Sequence, residues 1–137
     1  MTQPHLVEDL NDSLSKHVEV TNLGELHWML SIKVKQDHTA GTIHLSQWAY
    51  IDSILNHFNF ADLKPLSTPM DMQVKLSSEQ APASTAEFAA MHNVPYHEAV
   101  GALKWAALAT LPDISFAIST VAQFALNPGP VHWDTVK

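Results

Sequence analysis

The sequence predicts an α+β fold, mostly helical, with one β-hairpin early in the chain. Leu6, Leu10, Leu14 and Val18 recur every fourth residue, the spacing of an amphipathic helix. Residues 26–35 switch to strict alternation, the period of a half-buried strand. From residue 47 onward apolar residues return to helical spacing, punctuated by prolines. With 137 residues, 46% apolar and 15% charged, the chain can bury a core and is not disordered throughout.

Taken in order, the first helix is expected from Leu6 to about Val18, followed by a turn at Asn22-Leu-Gly24. In the strand Leu26–Lys35, Trp28, Leu30, Ile32 and Val34 share one face, and His27, Met29, Ser31, Lys33 and Lys35 the other. A polar break precedes a second strand, Thr42–Ser46, completing a two-stranded hairpin. Ser46 is placed to cap the next helix, whose buried stripe is Trp48, Ile51, Ile54, Leu55 and Phe58. Pro65, Pro69 and Pro82 mark an irregular connector from about Asp62 to Ser84. A short helix over Ser84–His92 follows. A longer one opens at Pro95 and reaches Leu111, with Tyr96, Val100, Leu103 and Ala107 facing the core. Pro112 suits the first turn of a helix to Leu126, because that turn has no use for a backbone donor. With only Pro112 between them, these two helices pack antiparallel. Asn127-Pro-Gly-Pro130 stops the second, and VHWDTVK begins one more helix, as expected of a piece of a longer protein.

Composition excludes several functions. There are no cysteines, hence no disulfide scaffold, thiolate zinc site, iron–sulfur cluster or cysteine nucleophile. No apolar run approaches the roughly 20 residues of a membrane helix, so no membrane partner is expected. No secretory signal is visible, so the expected location is intracellular, cytoplasmic or nuclear. The formal charge is −7, from fourteen carboxylates against seven bases, which by itself opposes nucleic-acid binding. All seven bases are lysine, while histidine occurs nine times. The histidines do not fall at metal-ligand spacing: His92 and His97 are split by Pro95, and His27 and His44 have no third partner, so surface histidines are the expectation. No metal site, glycine-rich phosphate loop or catalytic constellation is expected, and Glu8 with Asp12 reads as a solvated face. One group stands out, His97, Gly101 and Trp105, a stripe at i, i+4 and i+8 on the helix from Pro95. A glycine inside a helix costs about 1 kcal/mol, so something is expected to approach the backbone there: a nucleic-acid groove, or a packed helix.

Five segments, VTNLGELHWMLSIKV, TIHLSQWAYIDSIL, LKPLSTPM, VPYHEAVGALKWAALATLPDISFAIS and NPGPVHWDTVK, resemble in sequence and order the reverse transcriptase of Ty1/copia-type retrotransposon Pol polyproteins. The resemblance covers nearly the whole chain. It implies the part of the RNA-directed DNA polymerase that follows the catalytic Asp-Asp motif: 1–46 as the last palm helix and a primer-grip-like hairpin, 47–127 as a thumb-like helical region, and 128–137 as the start of the connection. Trp28, Met29, Leu30 and Ser31 would then hold the primer terminus, and His97, Gly101, Lys104 and Trp105 would follow the template–primer groove. The implied partners are an RNA/DNA template–primer and the rest of the polymerase, its fingers and palm. The paired aspartates are missing, so the Mg²⁺ ions of the parent enzyme would have no site on this chain and no catalysis is expected.

The departures from the family pattern share a direction. LGIEV reads LSIKV, with Ser31 for glycine and Lys33 for glutamate; PYREAVG reads PYHEAVG, with His97 for arginine; TRPDI reads TLPDI, with Leu111 for arginine. Most are one transition away in many codons, and CG-rich arginine codons suffer such changes first, the pattern of a decayed transposon copy, which accounts for the missing arginines and the acidic balance together. Leu111 lies outside that scheme. The rival readings are a helical protein-interaction module retained by the host and a histidine-based metal-binding protein.

Overall fold

The computed structural model describes residues 4–71 and 73–137. The first helix, α1, spans Pro4–Ser15 and stops short of the expected Val18. The His17 and Val18 amides both return to the Leu14 carbonyl, at 2.9 and 3.0 Å, which closes the turn. Leu6, Leu10 and Leu14 do form a stripe, but they stay 54%, 58% and 43% exposed.

The expected hairpin is a three-stranded antiparallel sheet of β1 (Trp28–Met29), β2 (Ile32–Asp37) and β3 (Thr42–Ser46), in that order. What the alternation presents as one strand folds back at Leu30–Ser31, whose φ angles are +50° and +64°. Two consecutive residues of positive φ are the signature of a type I′ hairpin turn. Met29 therefore faces Ile32, and Trp28 faces Lys33. Directly opposed residues share a face of the sheet, so Trp28 lies with Lys33 and not, as expected, with Ile32 and Val34. Asp37 closes the second turn, its Oδ1 accepting from the Thr39 and Ala40 amides at 3.0 and 2.9 Å.

Helix α2, Trp48–His57, is capped at Gln47 and not at Ser46, which is still paired with Lys33 in β3. The expected stripe of α2 is only half covered: Ile51, Ile54 and Phe58 are partly buried, while Trp48 is 76% exposed. Among its described residues the connector that follows is irregular except for a 3₁₀ turn at Ser78–Gln80. Helix α3, Thr85–His92, begins with a capping box: the Ser84 hydroxyl accepts from the Glu87 amide, and the Glu87 carboxylate accepts from the Ser84 and Ala83 amides. Those backbone donors hold the Glu87 carboxyl below its ordinary range.

The core lies between α4 (Tyr96–Ala109) and α5 (Ser115–Ala122), which a 3₁₀ turn led by Pro112 connects. Tyr96, Val100 and Ala107 pack on Ile118 and Val121. The Tyr96 hydroxyl, at the start of α4, donates to the Val121 carbonyl near the end of α5 at 2.7 Å, so the two helices run antiparallel as expected. Burial pushes the Tyr96 phenol up to about 12. Helix α5 ends four residues before Leu126, because the amides of Phe124, Ala125 and Asn127 turn back three residues each.

The last helix, α6 (Pro130–Val136), carries the main departure from the expected surface histidines. His132 is fully buried and stacks on Phe124, with centroids 4.2 Å apart. Its Nδ1 accepts from the Gly129 amide at 2.8 Å, and its Nε2 donates to the Ser77 carbonyl at 3.1 Å. An amide only donates and a carbonyl only accepts, so the ring is a neutral imidazole protonated on Nε2. Gly129 itself sits where any Cβ would overlap the Gln80 carbonyl.

Candidate nucleic-acid interface

Two surfaces hold the residues singled out above. The first is the outward face of α4, where His97, Gly101 and Lys104 are exposed and Trp105 is half-buried. A Cβ built on Gly101 meets nothing within 4 Å. Among the described residues no helix packs at this glycine, and the glycine with a close backbone neighbour is Gly129.

Helix α2 fixes that face. The Tyr50 hydroxyl donates to the Ala102 carbonyl at 3.2 Å, and His57 Nε2 lies 3.0 Å from Glu98 Oε1 near the start of α4. At the other end, the Thr110 hydroxyl donates to Gln47 Oε1 at 2.8 Å. Together these run α2 antiparallel to α4. Gln47 follows β3 directly, so the sheet leaves the helical part beside the C-terminal end of α4. Gln47 is 2% exposed, and its amide nitrogen has no partner among the described residues.

The second surface is the sheet. Trp28, Met29 and Leu30 are 53%, 50% and 66% exposed, and Ser31 is half-buried. The hairpin splits these four residues. Trp28 lies on one face, Met29 on the other, and Leu30 and Ser31 form the turn between them. Met29 shares its face with Ile32, Val34, Ile43 and Leu45, of which Val34 is buried. Trp28 shares its face with Lys33, Lys35 and His44. The Val34 amide donates to the His27 carbonyl, which sets His27 on the face opposite His44. Among the described residues no three histidine or carboxylate side chains converge on a possible metal position.

The model of the reverse transcriptase (RNA-dependent DNA polymerase) family matches residues 2–72. The chain belongs to this family. Residues 94–137, which carry α4 to α6, lie beyond that match, but relatives extend across them. The chain is 39% identical over 132 residues to a retrovirus-related Pol polyprotein from transposon TNT 1-94 of Nicotiana tabacum, covering 96% of the chain and 10% of the polyprotein. It is 34% identical over 134 residues to the Pol polyprotein from transposon RE1 of Arabidopsis thaliana, covering 98% of the chain and 8% of that relative. An uncharacterized mitochondrial protein of Arabidopsis thaliana is 35% identical over 124 residues, covering 90% of the chain and 48% of that protein. The reverse transcriptase segment seen here thus spans about a tenth of the length of the Pol polyproteins it matches. No solved structure matches it. Among the described residues no helix is long and apolar enough to cross a membrane.

Proposed function

We propose that this reverse transcriptase segment contacts the template–primer, with α4 lying along its groove, and does not itself hold the catalytic metal ions. The observation that carries the reading is the open backbone at Gly101 between exposed His97 and Lys104, on a helix whose opposite face is the core. No Asp-Asp pair occurs in the 137 residues, so the carboxylates for two-metal phosphoryl transfer come from elsewhere in a Pol polyprotein. The exposed stripe of α1 and the apolar face of the sheet suit contact with that remainder, since the chain spans only a tenth of the polyprotein.

Binding is weak in this reading, because the net charge of −7 opposes approach and Lys104 is the one lysine on α4. A labelled RNA–DNA hybrid at low salt is expected to bind no tighter than roughly 10⁻⁴ to 10⁻⁶ M, the non-specific range. Gly101→Ala, sterically free here, is expected to stabilise α4 by about 0.5–1 kcal/mol and to leave binding close to wild type. Gly101→Leu stands off the groove and is expected to abolish the α4 contact. Hybrid binding unaffected by Gly101→Leu would refute the groove assignment.

A further inference from the structure

The geometry points to a self-association surface at the outer edge of the sheet: β3 pairs antiparallel with β3 of a second copy of this chain, about a twofold axis at His44. The inference goes beyond the template–primer reading and does not depend on it.

Strand order β1–β2–β3 leaves β3 with one free edge. The Val34 amide donates to the His27 carbonyl, so the backbone groups of Val34 face β1. Backbone groups alternate in direction along a strand, so those of Lys33, Lys35 and Asp37 face β3 and bond to their opposites Ser46, His44 and Thr42. The amides and carbonyls of Ile43 and Leu45 therefore point to the free edge. All of β3 is exposed, with Ile43 at 65% and Leu45 at 54%. Thr42–Ser46 contains no proline, lysine or carboxylate, the residues that normally keep edge strands apart. In a chain of net charge −7, a strip free of carboxylates is where a second copy meets least repulsion.

The strand is also complementary to itself. Antiparallel pairing about His44 sets Ile43 opposite Leu45 of the second copy and Thr42 opposite its Ser46, and repeats both pairs by symmetry. Ile43 and Leu45 then exchange both backbone bonds, and their side chains carry the apolar face of Met29, Ile32 and Val34 across the junction. On the other face the Thr42 and Ser46 hydroxyls meet, a favourable cross-strand pair. Each such row ends in Asp37 of one copy and Lys33 of the other, which are opposite charges. Five residues are few against the roughly 20–30 a side of a standard interface, so the dimer is weak and reversible. Twofold pairing uses both β3 edges and leaves only β1, two residues long, at each end, so assembly stops at two.

The test is sedimentation velocity of the full chain from about 10 µM to 1 mM, the range of a weak complex. A monomer–dimer equilibrium is expected, with the Ile43 and Leu45 amides exchanging more slowly as concentration rises. Leu45→Pro is expected to abolish the dimer, because it removes an outward N–H and spares the bonds to β2. His44→Lys and His44→Glu are each expected to weaken self-association roughly tenfold, since like charges then face each other directly across the axis. Mixed in equal amounts, these two variants are expected to form a heterodimer at least as tight as the wild-type dimer. His44 is exposed, so circular dichroism of both should match wild type. A wild-type chain that stays monomeric at about 1 mM would overturn the inference. A dimer that Leu45→Pro and both His44 variants leave at wild-type strength would overturn it too, by placing the contact elsewhere. A mixture no tighter than either His44 variant alone would rule out the twofold at His44, and growth beyond a dimer would rule out a closed pair.

Discussion

Ser31→Gly is expected to stabilise the sheet, and its effect can be worked from the turn. Ser31 has φ +64° and joins Leu30, at +50°, in a two-residue connection between Met29 and Ile32. An L-residue held in the left-handed region costs roughly 1–2 kcal/mol. Glycine removes that term but enlarges the freedom of the unfolded chain, a loss of about 0.4–1 kcal/mol. The net gain is about 1 kcal/mol, which slows opening of the β1–β2 ladder roughly fivefold. Amide hydrogen exchange is the appropriate assay, because the sheet is free to open without unfolding the α4–α5 core. The Val34 amide, which donates to the His27 carbonyl at 2.9 Å across this hairpin, is the reporter. Its exchange is expected to slow in Ser31→Gly and to quicken in Ser31→Val, whose branched side chain suits positive φ worse. Exchange at Val34 that is unchanged or faster in Ser31→Gly would refute the assignment of a strained left-handed turn.

Alkaline unfolding should report on Tyr96. Its phenol is raised from 10.0 to about 12 in the folded chain, so the folded state keeps a proton that the unfolded state has lost between those values. Stability is then full below about pH 10 and falls by on the order of 2 kcal/mol by pH 12. Urea midpoints of Tyr96→Phe should start lower, with the Val121 carbonyl left without its donor, but should fall less over that interval. An equally steep fall in Tyr96→Phe would show that the loss arises elsewhere. Gly129→Ala is expected to destabilise the chain by about 1–3 kcal/mol or more in urea titration, because its Cβ would overlap the Gln80 carbonyl and force α6 off the connector. A wild-type midpoint would rule out that close packing.

The helices of the second half were legible because their boundaries carry local chemistry. Ser84 and Glu87 at capping-box spacing start α3, Pro95 caps α4, and Pro112 opens the turn into α5. The third strand was not legible. Leu30-Ser31 contains none of the Asn, Asp or Gly that normally signals a type I′ turn, and a two-residue turn leaves the alternation of letters uninterrupted. The amphipathic spacing of α1 and α2 was readable, but spacing says which side is apolar and not what covers it. Leu10 accordingly stays exposed on the apolar side of α1, and Trp48 on a face expected to be buried. His132 had a readable signal that went unused. It stands three residues after Gly129 at a helix start, where a side chain can reach back to the capping amide.

The phase of β1 matters more than its length. Side chains alternate across a strand with period two, so one residue of slip carries a whole strand to the other face. With the turn at Leu30–Ser31, Trp28 sits with Lys33 and Lys35 while Met29 joins Val34 and Leu45. Read as one continuous strand, the same letters put Trp28 among the apolar residues and leave the lysines without an aromatic neighbour. The two left-handed residues therefore do more than reverse the chain. They sort one strip of sequence into a face with an indole and two lysines and a face that is mostly apolar. That division rests on a turn held at Ser31 against the preference of its own backbone.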